Sequence, residues 1–271
     1  MNATTFAPVC VQVIRNPPTI EGAEDCLFLN VHTPSADQEN GGLYPVVVYI
    51  HGGAFAYGQA PTNPSRLVSR GIVVVTVQYR VGVLGFLSSG DHNIPGNFGL
   101  LDQQLALKWV QQNIHEFNGD RDRVTLSGLS AGSLAVTLHM VSPGSRGLFQ
   151  QAIATSGVFL SPGIVSTGEP DRVRAVARSV GCPCSPESPI AALLPCLRSA
   201  DPLKLAEAQL QFQGWHENPP TVFGPVVDRN FVSEHPYNFL REGNVARMPL
   251  LLSCTTAEGN YVVAGECTSI T

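Results

Sequence analysis

The chain's most informative chemical residue is the serine of Gly128-Leu129-Ser130-Ala131-Gly132. Upstream, Arg123-Val124-Thr125-Leu126-Ser127 reads as a short buried strand, and downstream Ser133-Leu134-Ala135-Val136-Thr137-Leu138-His139-Met140 reads as a helix. A Gly-x-Ser-x-Gly pentapeptide on a strand-to-helix turn is a nucleophile elbow, whose glycines allow the sharp turn that holds the serine hydroxyl up and exposed. The N–H of Ala131 then opens a helix, where a developing oxyanion is stabilised. The bland alternative is a glycine-bounded turn with no chemistry, so the reading depends on partners.

Acyl transfer by a serine needs a base, an acid that orients the base, and N–H donors for the oxyanion. Ile50-His51-Gly52-Gly53-Ala54-Phe55 directly follows an apolar run and has the composition of a donor loop facing such an elbow. Small residues are required there, because a wall of side chains would block approach to the carbonyl carbon.

The elements that must position these residues alternate. Pro45-Val46-Val47-Val48-Tyr49-Ile50 and Ile72-Val73-Val74-Val75-Thr76-Val77 read as strands buried on both faces of a parallel or mixed sheet. Between Asn97 and Phe117, Leu101, Leu105, Trp109 and Ile114 recur at helical spacing, and Asn118-Gly119 stops the helix. Further strands are expected at Gln151-Ala152-Ile153-Ala154-Thr155 and Pro249-Leu250-Leu251-Leu252-Ser253, and helices at Pro170 to Val180 and Pro202 to Leu210. The class is α/β.

Composition narrows the partners. With 271 residues, 44% hydrophobic and 14% charged, the chain can bury a substantial core. A net charge of −5 without a basic run argues against nucleic acid. No apolar stretch reaches the ~18 residues of a membrane span, and Met1 to Cys10 lacks the pattern of a signal peptide. Seven cysteines (10, 26, 182, 184, 196, 254, 267) show no metal spacing, so neither metal nor cofactor is expected. Cys10 with Cys26, and Cys196 with Cys182 or Cys184, would close short loops that suit disulfides and an oxidising compartment, against the alternative of buried free thiols. The Asn2-Ala3-Thr4 sequon agrees with secretion.

Several in-register segments then resemble the type-B carboxylesterase/cholinesterase family. Glu24-Asp25-Cys26-Leu27-Phe28-Leu29-Asn30-Val31 is similar to its EDCLYLNV signature. Asn97-Phe98-Gly99-Leu100-Leu101-Asp102-Gln103-Gln104 with Ala106-Leu107-Lys108-Trp109-Val110 is similar to its GNxGLxDQxxALxWV segment. Leu148-Phe149-Gln150-Gln151-Ala152-Ile153 and Gly224-Pro225-Val226-Val227-Asp228 also match family segments. The resemblance implies an α/β-hydrolase fold, a central mostly parallel sheet flanked by helices, here truncated. On that reading residues 1–271 are a partial domain, with a helical insertion and cap region at about 160–245.

The resemblance also implies a Ser-Glu-His triad. Ser130 is the nucleophile, and Glu258, in Thr256-Ala257-Glu258-Gly259, is the acid, with Ala257 in place of the family's aspartate. Ser156 matches a serine that braces the acid. The implied oxyanion donors are the N–H groups of Gly53, Ala54 and Ala131, with Gly52 shaping the loop. Ala54 replaces a more frequent glycine, which keeps the N–H and adds only a methyl. An Arg80–Asp102 ion pair and disulfides Cys10–Cys26 and Cys182–Cys196 are implied too, with Cys184 a rival for the second bridge.

The family's histidine base lies far downstream of the acid, whereas all seven histidines here (32, 51, 92, 115, 139, 216, 235) precede Glu258. The expectation is therefore an internal fragment of a longer protein, inactive and aggregation-prone in isolation. Leu129 replaces the glutamate that usually precedes the nucleophile, and Val13 to Glu24 holds no aromatic platform for a quaternary ammonium. The expected partner is a small neutral carboxylic ester rather than a choline ester, and the expected location is the secretory pathway or outside the cell. The competing reading is a non-catalytic cholinesterase-like adhesion or binding module. Retention of Ser130 and Glu258 counts against it, while Leu129 and Ala257 are drift in its favour.

Overall fold

The computed structural model describes residues 5–14, 18–34, 42–161, 163–212 and 222–258. Gly259, Cys267, His216 and the Asn2-Ala3-Thr4 sequon lie outside the described residues. A two-stranded antiparallel ribbon of β1 (Gln12–Ile14) and β2 (Thr19–Glu21) precedes the main sheet. That sheet is built from β3 (Leu29–His32), β4 (Tyr44–Ile50), β5 (Val73–Val77), β6 (Gly119–Leu129), β7 (Gln151–Thr155) and β8 (Leu250–Ser253). Its order is β3-β5-β4-β6-β7-β8, with β3 antiparallel to β5 and every other pair parallel. The helices are α1 (Ser65–Val68), α2 (Gly82–Phe86), α3 (Phe98–Asn113), α4 (Ala131–Val141), α5 (Pro170–Ser179), α6 (Ile190–Ser199), α7 (Pro202–Ala208) and α8 (Pro236–Glu242).

The valine run of β5 is buried at all five positions, as a β-branched strand inside a covered sheet should be. Its neighbour β4 departs from that expectation. Tyr44, Val46, Val48 and Ile50 are buried, but Pro45, Val47 and Tyr49 are only half-covered, because the described residues cover that face incompletely. The bare extreme is β8, whose Leu250, Leu251 and Leu252 are 41%, 55% and 57% exposed, so both faces of this edge strand stand open. Helix α4 packs over β4, β6 and β7 and is buried at every one of its positions.

Helix α3 forms where the periodicity predicts it, but on a different face. The buried stripe is Leu100, Gln103, Leu107 and Val110, continued by Ile114 in a 3-10 turn, whereas Leu105 is 63% exposed. Gln103 sits in that stripe because its Oε1 meets Nε2 of His139 at 3.1 Å. A hydrogen-bonded polar side chain can be buried as a leucine is but carries no hydrophobic signal, and Gln103 is bonded through Oε1 while its Nε2 has no partner among the described residues. At the helix start, the Asn97 side chain grips the Val226 backbone in both directions, Nδ2 to O at 2.8 Å and N to Oδ1 at 2.9 Å. One polar side chain thereby fastens the Gly224–Asp228 segment to the core.

Arg80 and Asp102 form a two-pronged pair, Nε to Oδ2 at 2.8 Å and the terminal guanidinium nitrogen to Oδ1 at 2.7 Å. Cys10 is bonded to Cys26 and Cys182 to Cys196, leaving Cys184 and Cys254 as free thiols among the described residues. The Cys10–Cys26 bridge spans 16 residues and closes the β1–β2 ribbon on itself. Opening a loop of that size releases chain entropy in the unfolded state. Replacing both cysteines by serine is therefore expected to lower stability by about 3 kcal/mol, read as a drop in the urea midpoint. An unchanged midpoint would mean that the ribbon contributes nothing to the cooperative unit.

Candidate active site

Ser130 is the single residue between the end of β6 and the start of α4, with φ 55° and ψ −123°. That conformation is strained for a residue with a Cβ, by about 1–3 kcal/mol, and persists only when its surroundings over-determine it. Here they do. The Ser130 N–H donates to the Thr155 carbonyl at the end of β7, and its carbonyl accepts from the Leu134 N–H in the first turn of α4, both at 2.9 Å. Gly132 presses against the Ile50 and His51 carbonyls so closely that a methyl there would overlap Ile50. The helix therefore starts directly on the end of β4, where the glycine loop begins.

That loop lies against the elbow. A Cβ on Gly52 would stand 3.2 Å from the Ser130 Cβ and collide with the Leu129 carbonyl. Gly53, Ala54 and Phe55 follow with φ 113°, 53° and 56°. The Ala54 methyl thus occupies a left-handed position, the conformation that glycine adopts without penalty. Leu129, 44% exposed, sets an apolar surface beside the serine.

Glu258 lies beyond the end of β8. Its Oε1 accepts from the Thr255 N–H at 2.6 Å and from the Ser156 hydroxyl at 2.7 Å. First the Thr255 N–H, then the Ser156 hydroxyl, hold this exposed carboxyl below its ordinary range. Ser156 also donates its N–H to the Ser253 carbonyl at 2.7 Å, so one residue binds β8 by backbone and Glu258 by side chain. Ser130 and Glu258 are in this way tied to successive residues, Thr155 and Ser156. A cleft of about 500 Å³ opens beside the acid, lined by Ala154, Ser156, Gly157, Leu252, Cys254 and Glu258. Ser130 is outside its lining.

Among the described residues no histidine hydrogen-bonds the Ser130 hydroxyl. His51 is buried beneath the glycine loop, its Nδ1 2.8 Å from the Gly52 carbonyl. His139 is buried on α4 between Ser145, at 2.8 Å from Nδ1, and Gln103, with its edge against the Phe231 ring. Burial pushes their pKa values from 6.5 down to about 4 for His51 and about 3 for His139, so both rings are neutral at pH 7. Below pH 6.5 the unfolded chain takes up protons that the folded chain refuses until those lower values. Stability is therefore expected to fall as pH drops from about 6.5, with a slope approaching two protons, or about 3 kcal/mol per pH unit. Urea midpoints at pH 7 and pH 5 measure this, and His139→Gln is expected to remove about half of the slope. Equal midpoints at both pH values would contradict it.

The Asn97–Val226 clamp joins residues far apart in sequence, and no local signal marks it. Three histidine, cysteine or carboxylate side chains gathered for a metal do not occur among the described residues. Nor is any described helix long and apolar enough to cross a membrane.

Comparison with known proteins places this geometry. The profile of the carboxylesterase family matches residues 1–270. The chain is 39% identical over 273 residues to juvenile hormone esterase of Tribolium castaneum, covering 96% of the chain and 46% of that protein. It is 36% identical over 273 residues to venom carboxylesterase-6 of Apis mellifera, covering 97% of the chain and 48% of that protein. With bile salt-activated lipase of Bos taurus it shares 36% identity over 283 residues, 100% of the chain and 47% of that protein. The chain spans about half the length of these curated relatives. With its mostly parallel sheet, its elbow and its glycine loop, it belongs to the carboxylesterase family and has that family's α/β-hydrolase architecture.

Proposed function

We propose that the protein to which this chain belongs hydrolyses neutral carboxylic esters through an acyl-enzyme formed on Ser130. The observation that carries this reading is the strained Ser130 elbow with Gly52 packed against its Cβ. Ser130 is exposed, which supports an accessible hydroxyl, and the close approach of Gly52 supports a role for the loop beside it. The Ser130 oxygen attacks the ester carbonyl carbon while its proton passes to a histidine that follows this chain in sequence. Glu258 orients that histidine and stabilises its charged form, and Ser156 braces Glu258. Gly53, Ala54 and Ala131 donate N–H groups to the oxyanion, with Gly52 giving the substrate room. Collapse of the tetrahedral species releases the alcohol, and water attacks the acyl-enzyme with the same histidine as base.

Leu129 beside the nucleophile favours an uncharged substrate, since it offers a cation no carboxylate. The names of the relatives, esterases and a lipase, support the same reaction class. The two disulfides and the venom relative support passage through an oxidising, secretory compartment.

The test compares the full-length protein with the isolated 271-residue chain on p-nitrophenyl butyrate. Turnover by the former and none by the latter is expected, because the base is missing from the latter. Turnover by the isolated chain would remove the external base from the mechanism. A full-length protein inert toward neutral esters yet correctly folded would leave the binding-module reading instead.

A further inference from the structure

We propose that His51 and Tyr79 are positioning residues that hold the glycine loop so that the Gly53 N–H is aimed at the oxyanion, His51 directly and Tyr79 through the preceding peptide, a role that rests on the esterase reading above. The device works through peptide planes. In a trans peptide the N–H points opposite the carbonyl of the preceding residue, so holding one carbonyl aims the next N–H. The Gly52 carbonyl is held by Nδ1 of the His51 ring at 2.8 Å. A carbonyl only accepts, so Nδ1 carries the proton and donates. The Gly53 N–H, in the same plane, is thereby directed away from the ring.

The flanking planes are held in the same manner. The Gly53 carbonyl accepts from the N–H groups of Ala56 at 2.9 Å and Tyr57 at 3.1 Å, which aims the Ala54 N–H. The Tyr79 hydroxyl donates to the His51 carbonyl at 2.8 Å, which fixes the plane carrying the Gly52 N–H. Three successive peptides are gripped from their carbonyl sides, each bond also polarising its peptide into a better donor.

The His51 ring has little freedom to do otherwise. It stacks on Tyr79 with centroids 4.2 Å apart and planes 19° from parallel. Gly58 closes another side, where a methyl would overlap Nδ1. Gly58 is itself pinned by Gln12 of β1, its N–H donating to Oε1 at 2.6 Å and its carbonyl accepting from Nε2 at 3.3 Å. Nε2 of His51 is buried without a hydrogen-bond partner among the described residues. His139, a packing histidine of equal burial, has partners on both nitrogens. An unpaired buried polar atom is costly, and here it accompanies an Nδ1 placed for one task. Burial also keeps the ring neutral, with its pKa pushed down to about 4, so its donor pattern is constant across the working pH range.

Full-length protein carrying His51→Phe, His51→Asn or Tyr79→Phe tests this. Phenylalanine keeps the stacking ring and removes the donor, whereas the asparagine amide can replace Nδ1. The readouts are kcat and KM on p-nitrophenyl butyrate and inhibition by a trifluoromethyl ketone, whose hemiketal oxyanion needs the same donors. His51→Phe is expected to lower kcat by roughly 10- to 100-fold and to weaken the ketone in proportion, with KM within about twofold. His51→Asn should recover most of that loss, and Tyr79→Phe should show a smaller fall of the same kind. Wild-type kcat in His51→Phe, or a loss that asparagine does not restore, overturns the proposal. If the phenylalanine variant does not fold, Tyr79→Phe decides alone: a kcat and ketone affinity equal to wild type overturn the proposal. Failure of the wild-type protein to turn over any neutral ester would instead remove the esterase reading, and this role with it.

Discussion

Ser130→Ala in the full-length protein is expected to lower ester turnover by roughly 10⁴- to 10⁶-fold, because it removes the oxygen on which the proposed acyl-enzyme forms. The fold should be indifferent to the change. The bonds that hold this turn use the Ser130 backbone, N–H to Thr155 and carbonyl to Leu134, and alanine keeps both. Its stability is therefore expected within about 0.5 kcal/mol of wild type. Ser130→Gly gives an independent check on the strain. At φ 55° a residue without a Cβ is relieved, so this variant should be equally inactive and more stable by about 1 kcal/mol. Thermal midpoints read the second effect and initial rates the first. A stable, active Ser130→Ala protein would dissociate the chemistry from the elbow.

Glu258→Gln is expected to lower kcat by about 10³- to 10⁴-fold with little change in KM. Glutamine can accept from the Thr255 N–H and the Ser156 hydroxyl as the carboxylate does, so the side chain stays placed and only the charge is lost. What disappears is the anion that fixes the base's tautomer and stabilises its protonated form. The pH dependence follows from the same contacts. Glu258 titrates below its ordinary range, held there first by the Thr255 N–H and next by Ser156. Its contribution is thus fully present above the ordinary carboxyl range and is lost only as pH falls through the depressed value. Activity that fades near neutral pH would report the histidine rather than Glu258. Ser156→Ala should raise the Glu258 value toward normal and cost about tenfold in kcat. Measurement of kcat against pH for both variants distinguishes loss of charge from loss of bracing.

Legibility in the sequence tracked how local each feature is. The elbow and the glycine loop each declare themselves within a few residues, through glycines and a nucleophile between a strand and a helix. Valine runs exposed β4 and β5 for the same reason. Glu258 has no such local signal and is implied only by the family resemblance. Features that depend on a distant partner were hidden. The buried face of α3 is hidden because Gln103 Oε1 and His139 Nε2 meet across 36 residues, so a polar side chain occupies a core position that an apolar pattern does not mark. The Asn97–Val226 clamp spans 129 residues and has no pattern at either end. Spacing left Cys182 and Cys184 equivalent partners for Cys196. The structure bonds Cys182, whereas the Cys184 thiol turns toward the Arg174 carbonyl. Helix α6 is hidden in the sequence because Pro195 lies inside it, where a proline reads as a helix breaker.

The elbow's accessibility to an ester is the central claim, and a labelled fluorophosphonate measures it most directly. Full-length protein is treated with the reagent, digested, and the adduct located by mass spectrometry, with Ser130→Ala in parallel. The expected result is one adduct, on the Gly128–Gly132 peptide at Ser130, absent from the alanine variant. Labelling at another serine, or no labelling of folded protein, would contradict it.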